Sequence, residues 1–165
     1  MTEDTITQLT DILDRLEARY GEQAPDWPTD PYHFLVWWHC GYPASDERCA
    51  KGWESLNADV GVSPDRLLSV PSTKLARALK SGGMVPDLRA ARLKAIAARV
   101  QDEFGGDLLT ALHKLPLAKA RASFKRFPGM GDPGADRVLL FGGLAPVAAV
   151  PSNCPHVLPR IAVAT

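Results

Sequence analysis

Between Phe127 and Asp136 the chain reads Phe-Pro-Gly-Met-Gly-Asp-Pro-Gly-Ala-Asp, a stretch whose chemistry suits an anion. Two glycines around one apolar residue let the backbone turn tightly while Met130 plugs the core. The amides of Gly129, Met130 and Gly131 then face outward beside a helix that Asp132 is expected to cap and Pro133 to open. Outward amides and the positive end of a helix together suit a phosphate oxygen. Such contacts hold and orient a nucleic-acid backbone but read no bases. Taken alone, the pentapeptide reads first as a plain helix-turn-helix connection. The residues just before it change the balance: 113–126 carry Lys114, Lys119, Arg121, Lys125 and Arg126 and no acid.

Other groups invite weaker readings. Asp136 lies three positions after Pro133 and shares its helix face, with Arg137 beside it, so it can be a displaced acid or an arginine-paired residue. Cys154 and His156 suggest a thiol–imidazole pair, against the plainer reading of a buried thiol and a surface histidine. His33 and His39 fall on a nearly all-apolar segment and read as core histidines satisfied by hydrogen bonds. Trp37, Trp38 and Trp53 read as core. Cys40, Cys49 and Cys154 are too few and too scattered for a disulfide framework or a four-thiolate metal site. Free thiols in a reducing compartment are expected, and no metal site is predicted.

The whole chain has 165 residues, with 19 basic and 19 acidic side chains and 45% apolar residues. That suffices for one domain, or one with a short appendage, and excludes disorder and collagen-like repeats. A net charge of zero argues against a nucleic-acid partner until it is divided by segment. Residues 1–30 hold eight acids and two bases, 31–73 five and three, 74–126 four and twelve, and 127–165 two and two. The charge is segregated, leaving a central segment of +8 that suits a polyanion. The amino terminus lacks the basic start and apolar stretch of a signal peptide. The longest uncharged, mostly apolar run, Val138 to Val150, spans 13 residues, short of the roughly 18 that a membrane span requires. A soluble, cytoplasmic protein is expected.

The elements that must position these groups read as all-α. Ile6, Leu9, Ile12, Leu13, Leu16 and Tyr20 recur at helical steps and end at Gly21. After the turn-rich residues 23–31, Tyr32 to Cys40 reads as a buried helix. Ser45 can cap a helix to about Ala58, Ser63-Pro64 and Ser72 open two short ones, and Ser81-Gly82-Gly83 closes the second. Pro86 to Phe104 reads as a long helix with Leu88, Leu93, Ile96, Ala97 and Val100 inward, stopped by Gly105-Gly106. Helices over 107–114, 117–127 and 135–141 follow, and no period-2 strand pattern is found.

This order resembles the helix-hairpin-helix DNA glycosylase superfamily, most closely its endonuclease III branch, from about Asp30 to Ile161. The resemblance lies in the buried helix, turn and helix from Phe34 to Asp46, and in the Gly83 turn feeding Leu-Arg-Ala-Ala-Arg-Leu at 88–93. It continues through Phe-Pro-Gly-Met-Gly at 127–131, Ala135, Val-Leu-Leu-Phe at 138–141, and Ala145-Pro-Val-Ala-Ala-Val150 with its short polar turn. It implies a bilobed helical protein in base-excision repair, with the helix-hairpin-helix at about 117–141 in a domain over 31–165. Residues 1–30 would be a helix and linker contributing to the second lobe. Duplex DNA, including damaged duplex, would lie across the cleft near the nucleoid. The backbone would be gripped by Gly129, Met130 and Gly131, with Lys119, Lys125 and Arg126 as electrostatic support and a monovalent cation at the hairpin carbonyls. A damaged nucleotide would flip into the cleft, where Tyr42 can stack on a base or merely pack the turn.

The departures fall on the chemistry. Where the family has a Schiff-base lysine, two residues after the second hairpin glycine, this chain has Pro133. The family's aspartate, in the turn after the apolar segment, corresponds to Pro151. Proline supplies neither amine nor carboxylate. The usual wedge residue of the first turn falls near Pro43, and the family's iron–sulfur cysteines have no counterpart, so no cluster is expected. The family's second lobe needs about fifty residues more, which leaves that lobe incomplete here and, if it is truly absent, an apolar stripe on the first helix inviting self-association. The expectation is a DNA-binding protein of this fold with catalysis in doubt. The alternatives are an active glycosylase using a displaced carboxylate, Asp136, and a non-enzymatic interaction module.

Overall fold

The structure, a computed structural model, describes residues 3–150 and positions 156 and 160, with side chains from residue 8 onward. The described residues form α1 (Glu3–Tyr20), α2 (Pro31–Gly41), α3 (Asp46–Asp59), α4 (Pro64–Ser69), α5 (Ser72–Ala78) and a 3-10 turn (Leu79–Gly82). Then follow α6 (Pro86–Phe104), α7 (Leu108–His113), α8 (Leu117–Lys125) and α9 (Asp132–Phe141). No strand occurs among the described residues, so the all-α reading stands.

α2 is the central post. Its N-cap Asp30 accepts from the His33 amide, Pro31 pre-sets the first turn, and almost every later side chain is buried. α3, α6, α7, α9 and the 3-10 turn all pack against it. The approach of α3 and the 3-10 turn is close enough to require glycine. A Cβ at Gly52 would sit 2.7 Å from the Cys40 carbonyl oxygen, and one at Gly82 would overlap that same oxygen outright. Leu93, Ile96, Ala97 and Val100 of α6 complete the core with Leu56, Leu67, Leu75, Phe124 and Leu139. Burial pushes the Cys40 and Cys49 thiols up, Cys49 to about 11, and both are free.

Several local expectations are corrected. Leu88 is 48% exposed and its neighbour Arg89 takes the inward position. Helical spacing accounts for this: Arg89 lies four residues before Leu93 and seven before Ile96 and shares their inward face, whereas Leu88 falls off it. His33 is exposed, beside Asp30 and edge-on to Trp53, whereas His39 is buried. Trp53 is only partly buried. α8 stops at Lys125, and α9 begins at Asp132, three residues before Ala135, capped by Gly131 with no side-chain hydrogen bond. The linker after α1 docks through Trp27, whose ring lies 5.9 Å from Trp37 and 5.3 Å, edge-on, from Phe141. Leu13, Leu16 and Tyr20 of α1 are exposed. No described helix is long and apolar enough to cross a membrane.

Candidate nucleic-acid interface

The hairpin joining α8 to α9 is built from the core outward. Phe127 and Met130 are buried, and the Met130 amide donates to the Phe127 carbonyl at 3.2 Å. Gly129 turns the chain at φ 68°, a region that disfavours side chains. Among the described residues, the Gly129 and Gly131 amides have no partner within the chain, so two donors remain beside the amino end of α9. A Cβ at Gly129 would lie 3.5 Å from an Arg92 guanidinium nitrogen and 3.4 Å from Nε2 of His39. Arg92 makes no ion pair among the described residues, which puts an uncompensated cation against the hairpin. It lay within the motif at 88–93 but was not singled out, because nothing in an α6 sequence says which residue meets a loop nearly forty positions later.

His39 ties this hairpin to the central helix. Its Nδ1 lies 2.7 Å from the Leu35 carbonyl oxygen and its Nε2 2.5 Å from that of Pro128. Burial pulls the imidazole below its usual pKa and the carbonyls pull the other way, while Arg92 and Arg89 add to the lowering. A neutral ring donates to one carbonyl at a time. Burial outweighs the pull of the two carbonyls, so the native ring resists a proton that the unfolded ring accepts. Stability should fall as pH drops through the ordinary imidazole value of 6.5. Urea unfolding at about pH 7.5 and about pH 5.5 checks this, and His39→Gln should flatten the difference.

The cations named from sequence divide into two groups. Lys119 is exposed and has no ion-pair partner among the described residues. Lys125 contacts Asp132 at 2.9 Å and Arg126 contacts Glu103 of α6 at 3.3 Å. Asp132 also lies 3.4 Å from Arg121, and the hydrogen bond from Lys125 holds its carboxyl below the usual carboxylate range. As the first residue of α9, Asp132 places a negative charge at the helix end where the hairpin amides face out.

Asp136 stands on the α8 side of α9. Arg121 grips both its oxygens, at 2.6 Å each, and the pair raises the guanidinium pKa further. A cleft of about 630 Å³ opens on the other side of the hairpin, between the end of α2, the turn into α3 and the start of α9. Its wall includes Tyr42, Asp46, Gly129, Gly131, Pro133 and Arg137, and Asp136 is not part of it. Pro133, matched to the lysine position, thus faces the cleft. Pro151, matched to the aspartate position, and Cys154 lie outside the described residues. Asp46 is the carboxylate in this wall. It sits 3.3 Å from Arg137, whose guanidinium lies 4.2 Å above the Trp27 ring. Tyr42 stacks on Trp38 with ring centroids 3.8 Å apart and keeps an exposed face. Neither Asp46 nor Arg137 was a candidate from sequence, since the cleft is made by elements about ninety residues apart.

Two further features frame the cleft. The buried Arg89 guanidinium donates to the carbonyls of Gly41 (2.8 Å), His39 (3.1 Å), Tyr42 (3.2 Å) and Met84 (2.8 Å), fixing the end of α2 and the turn before α6. Immediately beyond, Met84 is 84% exposed and Val85 is exposed too, an apolar tip on an anchored backbone.

No protein-family model matches the sequence, and no curated protein matches it. Solved structures do match. An endonuclease III trapped as a covalent intermediate with DNA superposes with a TM-score of 0.71 at 19% identity, covering 92% of this chain and 67% of that one. A non-covalent endonuclease III–DNA complex gives the same score and identity, with 92% and 66% covered. A thermostable thymine-DNA glycosylase also scores 0.71 at 19% identity, with 94% and 69% covered. The chain thus spans about two thirds of the length of these proteins. With its hairpin between α8 and α9, the central α2 and the cleft between them, this chain has the fold of the helix-hairpin-helix DNA glycosylases.

Proposed function

We propose that this chain binds duplex DNA at sites of base damage, holding the backbone at its hairpin and admitting one nucleotide to the cleft. The observation that carries this reading is the pair of unpartnered amides, Gly129 and Gly131, at the start of α9, with the uncompensated Arg92 against the same turn. Amides and helix end take a phosphate oxygen, Arg92 and Lys119 neutralise its charge, and Lys125 and Arg126 contribute once released from their acids. The Met130 amide is already used within the turn, so its part is to anchor the hairpin in the core. Tyr42 and the exposed tip at Met84 flank the cleft as a stacking face and an apolar wedge, which help to unstack a base step. The fold's structural neighbours bound to DNA support the same partner. Schiff-base chemistry is not assigned to the cleft, where Pro133 has no amine. Asp136, bound through both oxygens by Arg121, is not assigned an acid's role either.

Fluorescence anisotropy on a duplex carrying an abasic-site analogue tests the reading. Affinity should fall linearly with salt on logarithmic axes, with a slope of about −0.9 per phosphate contacted. Absence of binding at low salt would sink it.

A further inference from the structure

Beyond holding a backbone, the cleft carries a set of groups that can tell one base from another. We propose that it receives an extrahelical guanine, or a purine with guanine's 6-oxo edge, read by Arg137 and Asp46 and stacked on Tyr42. The inference rests on the DNA reading above.

The cleft, about 630 Å³ and partly open, has room for a nucleobase and part of its sugar. Its aromatic side is Tyr42, already stacked on the buried Trp38, so a base laid on the free face of Tyr42 extends an existing stack. Its polar side is the Arg137 fork beside the Asp46 carboxylate. One Arg137 nitrogen makes a single long contact to Asp46 at 3.3 Å, and no other hydrogen bond of this guanidinium is found among the described residues. Trp27 beneath the guanidinium, with Phe34 and Trp38 at 5.8 and 5.7 Å, limits where the fork can go. Donors and an acceptor therefore stand side by side, on different helices, facing one cavity.

That pairing has a complement. Guanine presents O6 and N7 as two adjacent acceptors, which a guanidinium takes in a bidentate grip. Its N1–H and N2 amino group donate along the neighbouring edge, where a carboxylate can accept both. Adenine places its N6 amino group, a donor, where the fork needs an acceptor. Cytosine has adjacent acceptors at O2 and N3 but only the N4 amino group as donor beside them, so the carboxylate gains one hydrogen bond instead of two. Thymine separates its acceptors O2 and O4 by the N3 donor.

The test uses the full chain and five duplexes alike except for one unpaired guanine, adenine, cytosine or thymine, or an abasic analogue, compared by anisotropy at one low salt concentration. The guanine duplex should bind tightest, about tenfold or more above the others. Arg137→Ala and Asp46→Asn should each shrink the guanine-to-abasic affinity ratio by about 5- to 100-fold. Arg137→Lys, which keeps the charge and loses the fork, should shrink it as well. Equal affinity for all five duplexes, preference for another base, or an unchanged ratio in Arg137→Lys would overturn the inference while leaving DNA binding intact. Absence of binding to any duplex would instead overturn the reading on which it rests.

Discussion

Asp132→Asn is expected to tighten duplex binding by on the order of tenfold at low salt and to steepen the salt slope by about one or two phosphate equivalents. The reason is positional. The Asp132 carboxylate sits at the first residue of α9, 2.9 Å from Lys125 and 3.4 Å from Arg121, beside the hairpin amides that would meet a phosphate. It satisfies two cations and the helix end with the protein's own charge, so an incoming phosphate must displace it. Removing that charge releases Lys125 altogether and leaves Arg121 with Asp136 alone. Asp132→Lys should go further, by about a hundredfold in total, because it also adds a cation at the same place. Stability should change little, since these pairs are about half exposed and solvent screens them. Anisotropy titrations over a salt series check both substitutions. Equal slopes for the two variants and the parent would show that Asp132 does not compete with phosphate.

Arg89→Met is expected to destabilise the fold by about 3–5 kcal/mol, visible as a lowered urea midpoint. The methylene stem would still fill its space, but four carbonyls would lose a charged donor. Three of them, His39, Gly41 and Tyr42, belong to the end of α2, where the Gly41 oxygen also accepts from the Ala44 amide at 3.0 Å and the other two rely on the guanidinium. Arg89→Lys should recover only a minor part, because a single ammonium cannot span carbonyls that a planar fork reaches together. The same substitution should blur base discrimination, since the turn carrying Tyr42 hangs from Arg89. A midpoint within error of the parent would refute the clamp.

How much of this was readable beforehand depends on the range of the interaction. Pro86 to Phe104 was legible to the residue, because the proline opens the helix and the glycine after it adopts the left-handed cap. The hairpin was legible because glycine spacing is itself the mechanism. Leu88 invites an inward reading because it is apolar, yet helical spacing from Leu93 and Ile96 places Arg89 on that face, where carbonyls satisfy its charge. Basic residues in α8 could be counted, yet their partners could not. Glu103 reaches Arg126 from another helix, and Asp132, expected as a cap, spends its carboxylate on Lys125 and Arg121. Asp136 and Asp46 make the same point for the site: one looked poised from its helix face and is held by Arg121, the other drew no notice and lines the cleft with Arg137.

The stacking of Trp38 on Tyr42, with Trp27 under Arg137, also gives the protein an optical reporter of its own. Two indoles stand within one residue of any occupant of the cleft, so an arriving base would alter their emission through stacking and charge movement. Trp37, buried beside Trp27, and the more distant Trp53 would contribute a steadier background. Occupancy could then be followed without a label, and a quench that persists in Trp53→Phe but fades in Trp38→Phe would place the signal at the cleft.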